Sequence, residues 1–162
     1  MSKFTLPENA KIVEALAPAA DAAGRDASKA VSLKNYGKAW IVVHLTQGNA
    51  ATVALTPMQA TAVAKTGGKV LTNNTRIWAN ADTSTSDTLV RQTDAKNFTT
   101  DAGTKNKVVI FEINPDDLDV ANGFDCVYVS TGASNAANIT QAMYVLGDPR
   151  YAMATPPSAI VD

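Results

Sequence analysis

The fold is decided by one ten-residue stretch, Lys38-Ala39-Trp40-Ile41-Val42-Val43-His44-Leu45-Thr46-Gln47. Successive side chains of a β-strand point to opposite faces of the sheet. In this stretch one face carries Trp40, Val42 and His44, and the other face carries three aliphatic residues, Ile41, Val43 and Leu45. Because both faces are largely apolar, the pattern predicts a central strand that is buried on both sides.

Similar short runs recur along the chain and are separated by Gly, Asn and Pro. The turn residues 47–49 predict a hairpin from this strand into a second strand over residues 51–55. Further strands are predicted over residues 30–34, 107–113, 124–130 and 141–146, with shorter ones over 76–79 and 88–91. Many short strands without long helical patterns indicate a mainly β domain, an antiparallel β-sandwich or barrel with one or two short helices.

Two segments fit a helix as well as a strand. Residues 9–16 carry three apolar residues at helical spacing, but Pro18 would end a helix early, and we favour an edge strand there. Residues 57–65 also show helical spacing, and Pro57 suits the first turn of a helix. We therefore predict a short helix in the second segment, ended by the glycines at positions 67 and 68.

The composition indicates a protein that assembles with others. Of the 162 residues only 18% are charged, against about 25% in an average soluble domain. Small neutral side chains fill the difference, and they pack against neighbours at little desolvation cost. The net charge of −1 gives no basic excess for binding nucleic acid. The sequence shows neither a secretory leader at its start nor an apolar run long enough for a bilayer, so we expect no membrane association.

Catalytic groups are scarce in the sequence. His44 is the only histidine and Cys126 the only cysteine, and we expect both to be structural. The loop 132–136 follows a strand and carries Ser134, as a nucleophile elbow would, but Ala136 replaces the final Gly of that motif. Trp40 and Trp78 are expected in the core of the sandwich. We therefore predict no catalytic residues.

A cluster of acidic residues invites a calcium-site hypothesis; it comprises Asp116, Asp117, Asp119 and Asp125. A calcium loop that began at Asp117 would need Gly at its sixth position and Glu at its twelfth. The chain has Asn122 and Tyr128 there, so we predict a helical turn opened by Pro115 instead. No phosphate loop and no zinc ligand set occur either, and we expect no metal and no cofactor.

The two ends are predicted to be extended arms, over residues 1–9 and 152–162, on a single domain that spans 1–162. Both arms are apolar and contain proline, which reduces the conformational entropy lost on docking. We predict that they dock onto a neighbouring subunit; the alternative is that they fold back and fill the ends of their own sandwich. The candidate interface residues are Phe4, Leu6, Pro7, Pro156, Pro157, Ile160 and Val161.

Several stretches resemble small proteins encoded among the head genes of tailed phages and prophages. The stretches are FTLPENAKIVEALAPAAD (4–21), VSLKN (31–35), GFDCVYVSTGASN (123–135), AMYVL (142–146) and the Pro156-Pro157 tail. Some proteins of this kind are cement, or decoration, proteins on the outer capsid. The resemblance implies a jelly-roll-like β-sandwich, a trimer at capsid three-fold positions, and the major capsid protein as partner.

The expected function is therefore capsid decoration, in a virion assembled in the bacterial host cytoplasm. The alternatives are a tail or receptor-binding virion component and, more remotely, a small hydrolase that uses His44.

Overall fold

The stretch that decides the fold forms most of strand β4 (Tyr36–Gln47). The computed structural model describes residues 5–151 and 155–161. Ala39, Ile41, Val43 and Leu45 are fully buried, whereas the opposite face with Trp40, Val42 and His44 is only half-buried. The prediction of a strand buried on both sides is therefore wrong. In a two-layer sandwich each sheet covers only one face of the other, so the second face of β4 stays at the surface.

β4 lies within a six-stranded sheet, which we call the first sheet. All its neighbouring strands pair antiparallel. In spatial order the strands are β1 (Lys11–Ala20), β12 (Asn138–Pro149), β4, β10 (Asn106–Ile113), β7 (Arg76–Asn80) and β8 (Val90–Arg91).

The second sheet covers the inner face of the first. Its strands are β2 (Arg25–Asp26), β11 (Cys126–Thr131), β5 (Ala54–Ala60) and β6 (Lys69–Val70), with β3 (Val31–Ser32) beside β11 and β9 (Phe98–Thr99) beside β5. The chain passes repeatedly from one sheet to the other, and its first and last long strands, β1 and β12, are neighbours. The predicted antiparallel β-sandwich is confirmed, and this strand order is the jelly-roll arrangement.

The core between the sheets is built from the inward residues of each strand. Tyr36, Ile41, Phe111 and Tyr144 from the first sheet are among the largest fully buried side chains. Full burial of a side chain of this size stabilises the fold by roughly 1.5–3 kcal/mol. Cys126 is also fully buried and belongs to this core, as predicted.

Two predicted elements are wrong. The segment after residue 48 crosses to the second sheet as β5, so β4 and β5 form no hairpin. Pro57 lies inside β5 and begins no helix. It sits opposite Val129 of β11, and on its other side β6 and β9 pair with β5 only at residues before and after it. A strand tolerates proline where no neighbour needs its N–H, which is why the helical spacing is overridden here.

The edge strand β1 confirms the strand prediction for residues 9–16, and a single helical turn, α1 (Leu6–Asn9), precedes it. Its pairing with β12 is irregular on either side of Leu16, and Pro18 lies in the second irregularity. Arg25 donates hydrogen bonds to the carbonyl oxygens of Ala17 at 3.1 Å and Ala19 at 3.0 Å. The guanidinium also donates to the carbonyl oxygen of Thr140, so it bridges β1 and β12 where their pairing is irregular. The bulges and Pro18 make β1 a poor edge for another strand.

Candidate interaction surface

The residues considered for catalysis lie in separate places. His44 is half-buried on the outside of the first sheet, where its Nδ1 lies 3.3 Å from Nε2 of Gln141. Cys126 lies in the core of the second sheet. Ser134 accepts a hydrogen bond from Nδ2 of Asn138 at 2.9 Å and belongs to a network that holds the loop before β12.

In the acidic cluster, Asp116 and Asp117 lie in one turn of 3₁₀ helix, Pro115–Asp117, and Asp119 immediately precedes a second turn, Val120–Asn122. Pro115 opens the first turn, as predicted, and Gly123 closes the second with a left-handed backbone, φ +79°. Asp119 forms an ion pair with Lys69 at 2.5 Å, and this hydrogen bond holds the pKa of the carboxyl below its usual range. Within residues 5–151 and 155–161, no group of three or more His, Cys, Asp or Glu side chains is placed to hold a metal ion.

The main surface feature is the solvent-facing side of the first sheet, which we call the outer face. Along β1, β12, β4, β10 and β7, alternate residues point away from the core and most of them are apolar. Ile12, Ile139 and Met143 are 44–49% exposed. The outer face comprises Ile12, Glu14, Trp40, Val42, His44, Trp78, Val108, Ile110, Glu112, Ile139, Gln141, Met143 and Val145.

Trp40 and Trp78 both belong to the outer face, so the prediction that they fill the core is wrong. Trp40 lies close against the sheet because Gly147 has no side chain: a Cβ there would come within 2.7 Å of Cζ3 of the indole. Its Nε1 donates a hydrogen bond to Oε2 of Glu112 at 3.1 Å. These contacts fix the indole ring at the surface.

Glu112 forms ion pairs with two basic residues on the first sheet. Its Oε1 accepts hydrogen bonds from Nζ of Lys38 at 3.1 Å and from the guanidinium of Arg76 at 3.2 Å. Burial alone would raise the pKa of this carboxyl, but the hydrogen bonds from Lys38 and Trp40 outweigh burial and hold the pKa below its usual range. The carboxylate is thus paired with two basic side chains beside the apolar residues, and the cluster keeps one net positive charge.

Two open depressions lie along the β7 side of the outer face. One has a volume of about 380 Å³ and is lined by Trp40, Trp78, Leu89, Ile110 and Glu112. Its neighbour has a volume of about 780 Å³ and is lined mainly by hydroxyl-bearing residues of the loop 83–87, with Leu89 common to both. Both depressions open on the same side of the face, and Leu89 separates the aromatic lining of one from the hydroxyl lining of the other.

The predicted terminal interface residues fall into four groups. Phe4 lies outside the described residues. Leu6, Pro7, Ile160 and Val161 are exposed, whereas Pro157 is half-buried. Pro156 is buried in the chain's own sandwich, so its assignment to an interface is corrected.

The C-terminal segment is held against β3 and β4 by hydrogen bonds. The backbone N–H of Ser32 donates to the carbonyl oxygen of Ala159 at 2.8 Å, and Ala159 is only 1% exposed. The buried hydroxyl of Tyr36 donates to the carbonyl oxygen of Pro157. Residues 156–159 therefore pack on their own domain, and exposed apolar side chains follow them.

Sequence reasoning missed the outer face as a surface. Its signal is the apolar alternation of β4 on both faces, which predicts burial on both sides.

Among the described residues, no helix is long and apolar enough to cross a membrane.

Comparison with known proteins assigns the chain to no family. No protein-family model matches the chain, and no curated protein matches it. Among solved structures the chain is similar to the SPBc2 prophage-derived protein YomS, with a TM-score of 0.47 and 8% sequence identity. The similarity covers 91% of this chain and 100% of that protein. The name of that protein gives a prophage origin and no activity.

Proposed function

We propose that this chain is a non-catalytic structural protein of a bacteriophage virion, and that it decorates the capsid by bridging copies of the major capsid protein. One observation carries the proposal: apolar side chains project into solvent from two separate parts of the molecule. The first part is the outer face, and the second is the terminal segments, where Leu6, Ile160 and Val161 are 44%, 39% and 66% exposed. A bridging protein needs two such surfaces, one for its own copies and one for the shell.

The sequence resemblance to phage head proteins supports the choice of the capsid as partner. In this proposal the terminal residues Leu6, Ile160 and Val161 contact the capsid. Each contact is small, since only a few apolar side chains take part. An oligomer that engages several capsid subunits at once gains avidity of about 10²–10⁴ over a single contact. The mechanism is therefore interface burial that opposes separation of neighbouring capsid subunits, and it requires no chemistry.

The test uses particles of the phage or prophage whose genome carries this gene, prepared with the gene deleted. Purified protein is added back, bound copies per particle are counted by quantitative mass spectrometry, and their position is found by cryo-electron microscopy. We expect a regular array on the head and greater resistance of the particles to heat. Density confined to the tail would favour the tail or receptor-binding alternative, and failure to bind would reject a virion role.

A pair of variants tests the terminal surface. Ile160→Ser combined with Val161→Ser should reduce particle binding without changing the mass of the free protein. Val120→Ser is the matched control, because Val120 is an apolar side chain, 58% exposed, that lies in the turn Val120–Asn122 and belongs to neither the terminal segments nor the outer face. Equal binding by the two variants would contradict the role of the terminal residues.

A further inference from the structure

We propose that the outer face is the contact between two copies of this chain, related by a two-fold axis that runs along the strands between β4 and β10. The face is apolar at its centre, and the second sheet covers only its opposite side. The choice of a second copy as the occupant comes from the distribution of charge across the face.

One register row crosses the whole sheet and ends in opposite charges. Pairing of neighbouring strands aligns Glu14 (β1), Met143 (β12), Val42 (β4), Ile110 (β10), Trp78 (β7) and Arg91 (β8). An acid thus stands at one edge, a base stands at the other, and four apolar residues lie between them. Glu14 is exposed and has no ion pair with any residue in the described part of the chain.

The proposed two-fold axis makes this row complementary to itself. It lays β1 of one copy over β8 of the other, so Glu14 faces Arg91 at both ends of the contact. Within the row Met143 then faces Trp78, a favourable sulfur–aromatic pairing, and Val42 faces Ile110. An axis across the strands would instead place Glu14 over Glu14 and Arg91 over Arg91, and like charges that face each other across an interface are unfavourable.

Arg91 is already positioned for such a contact. Its guanidinium carbon lies 4.9 Å from the centre of the Trp78 ring, and it forms an ion pair with Asp94. Asp94 is 48% exposed at its side chain, so the guanidinium remains close to solvent and accessible to a second carboxylate. An isologous contact of this kind forms twice, once at each end of the interface.

The size of the face agrees with a specific dimer. The six strands are 2 to 12 residues long. With about 4.8 Å between strands and about 3.4 Å per residue, they give a face roughly 24 Å wide and of about 600 Å² per copy. Two copies would bury about 1,200 Å², which is the lower end of specific protein interfaces. Two sheets can pack face to face in this way with their strands inclined by about 30°.

The first test measures the mass of the purified chain by size exclusion with light scattering. A two-fold contact gives an even number of copies, either a dimer or, when trimers pair, a hexamer. Met143→Glu places a charge against Trp78 at two points within the apolar part of the contact and should halve the measured mass, with an increase in Kd of about 100-fold or more. Val120→Glu is the control and should leave the mass unchanged.

The second test exchanges the charges at the ends of the row. Glu14→Arg and Arg91→Glu should each weaken the contact at least several-fold, and the double variant should restore it. Circular dichroism of each variant checks that the sandwich is intact. A monomer at high micromolar concentration, a trimer whose mass Met143→Glu leaves unchanged, or a double variant as weak as the single ones would each overturn the inference.

This inference goes beyond the proposed function and does not depend on it. The mass measurements need only the purified chain, whereas the capsid proposal is tested on particles and through Ile160 and Val161. Dimerisation without particle binding would reject only the virion role. Particle binding by a monomer would reject only the two-fold contact.

Discussion

Tyr36→Phe, made in the full chain and in a chain that ends at residue 154, tests how the C-terminal segment is held. Tyr36 is fully buried, and its hydroxyl donates to the carbonyl oxygen of Pro157. Burial raises the pKa of this hydroxyl, so it stays protonated and remains a donor throughout the neutral pH range. The substitution removes one hydrogen bond and leaves the ring in place.

The expected effect in the full chain follows from the contact that is lost. A neutral hydrogen bond contributes about 1 kcal/mol of net stability, and the free energy of unfolding should therefore fall by roughly 0.5–1.5 kcal/mol. For a domain of this size that corresponds to a decrease in Tm of about 1–6 °C. In the shortened chain the hydroxyl has lost this acceptor, so the same substitution should change stability by less than about 0.5 kcal/mol.

The assay is urea unfolding of the four proteins, analysed as a double-mutant cycle. Tyr144→Phe is the matched control: Tyr144 is also fully buried, but its hydroxyl lies 3.4 Å from the carbonyl oxygen of Lys29, which the truncation leaves in place. Its effect should be the same in both chain lengths. If Tyr36→Phe also has the same effect in both, the segment does not pack on its own domain in solution, and the reasoning is refuted in favour of a free docking arm.

Three further predictions can be tested by the same measurement of urea unfolding. Lys107 is only 2% exposed, and its ammonium donates to Gln47 and Asp101. Lys107→Met should therefore lower the free energy of unfolding by about 1.5–3 kcal/mol. Asp101→Asn, at the exposed partner, should lower it by less than about 1 kcal/mol. Cys126→Ser should lower the free energy of unfolding by about 1–3 kcal/mol and His44→Gln by less than about 0.5 kcal/mol, since of the two only Cys126 is fully buried. Loss of an enzymatic turnover in a folded variant of either residue would contradict their structural roles. Glu112 has a lowered pKa, so its stabilisation is present above the ordinary value of 4.5 and is lost as the pH falls through the lower folded value. Glu112→Gln should therefore flatten the loss of stability on acidification, and an unchanged pH profile would contradict the charge cluster.

The strands that the sequence predicted well are those with a strict two-residue alternation. β4, β10 and β12 alternate over eight to twelve residues, and each is present where the pattern placed it, with longer bounds. The strand preference at β1 also rested on a local property, the position of Pro18. In all these cases the backbone conformation is determined by residues within the strand itself, so one sequence suffices.

The features that the sequence missed depend on contacts between distant segments. The β conformation at Pro57 requires β6 and β9 to leave a gap beside it, and nothing within residues 57–65 specifies that gap. Burial of Pro156 depends on donors at Ser32 and Tyr36, more than 120 residues earlier. Local spacing cannot contain information of that kind.

The position of the two tryptophans shows why the sequence pattern did not predict the outer face as an interaction surface. A strand that is apolar on both faces predicts two covered faces, but it does not say whether the second cover is the chain itself or another molecule. In this fold the second sheet covers one face only, and Trp40 stays at the surface, held by Glu112 and by the absence of a side chain at Gly147. A side chain that is already fixed loses little conformational entropy when a partner binds, and aromatic residues so placed contribute strongly to interfaces. The structure leaves the second apolar face of β4 at the surface, and in the contact that we propose a second copy would cover it.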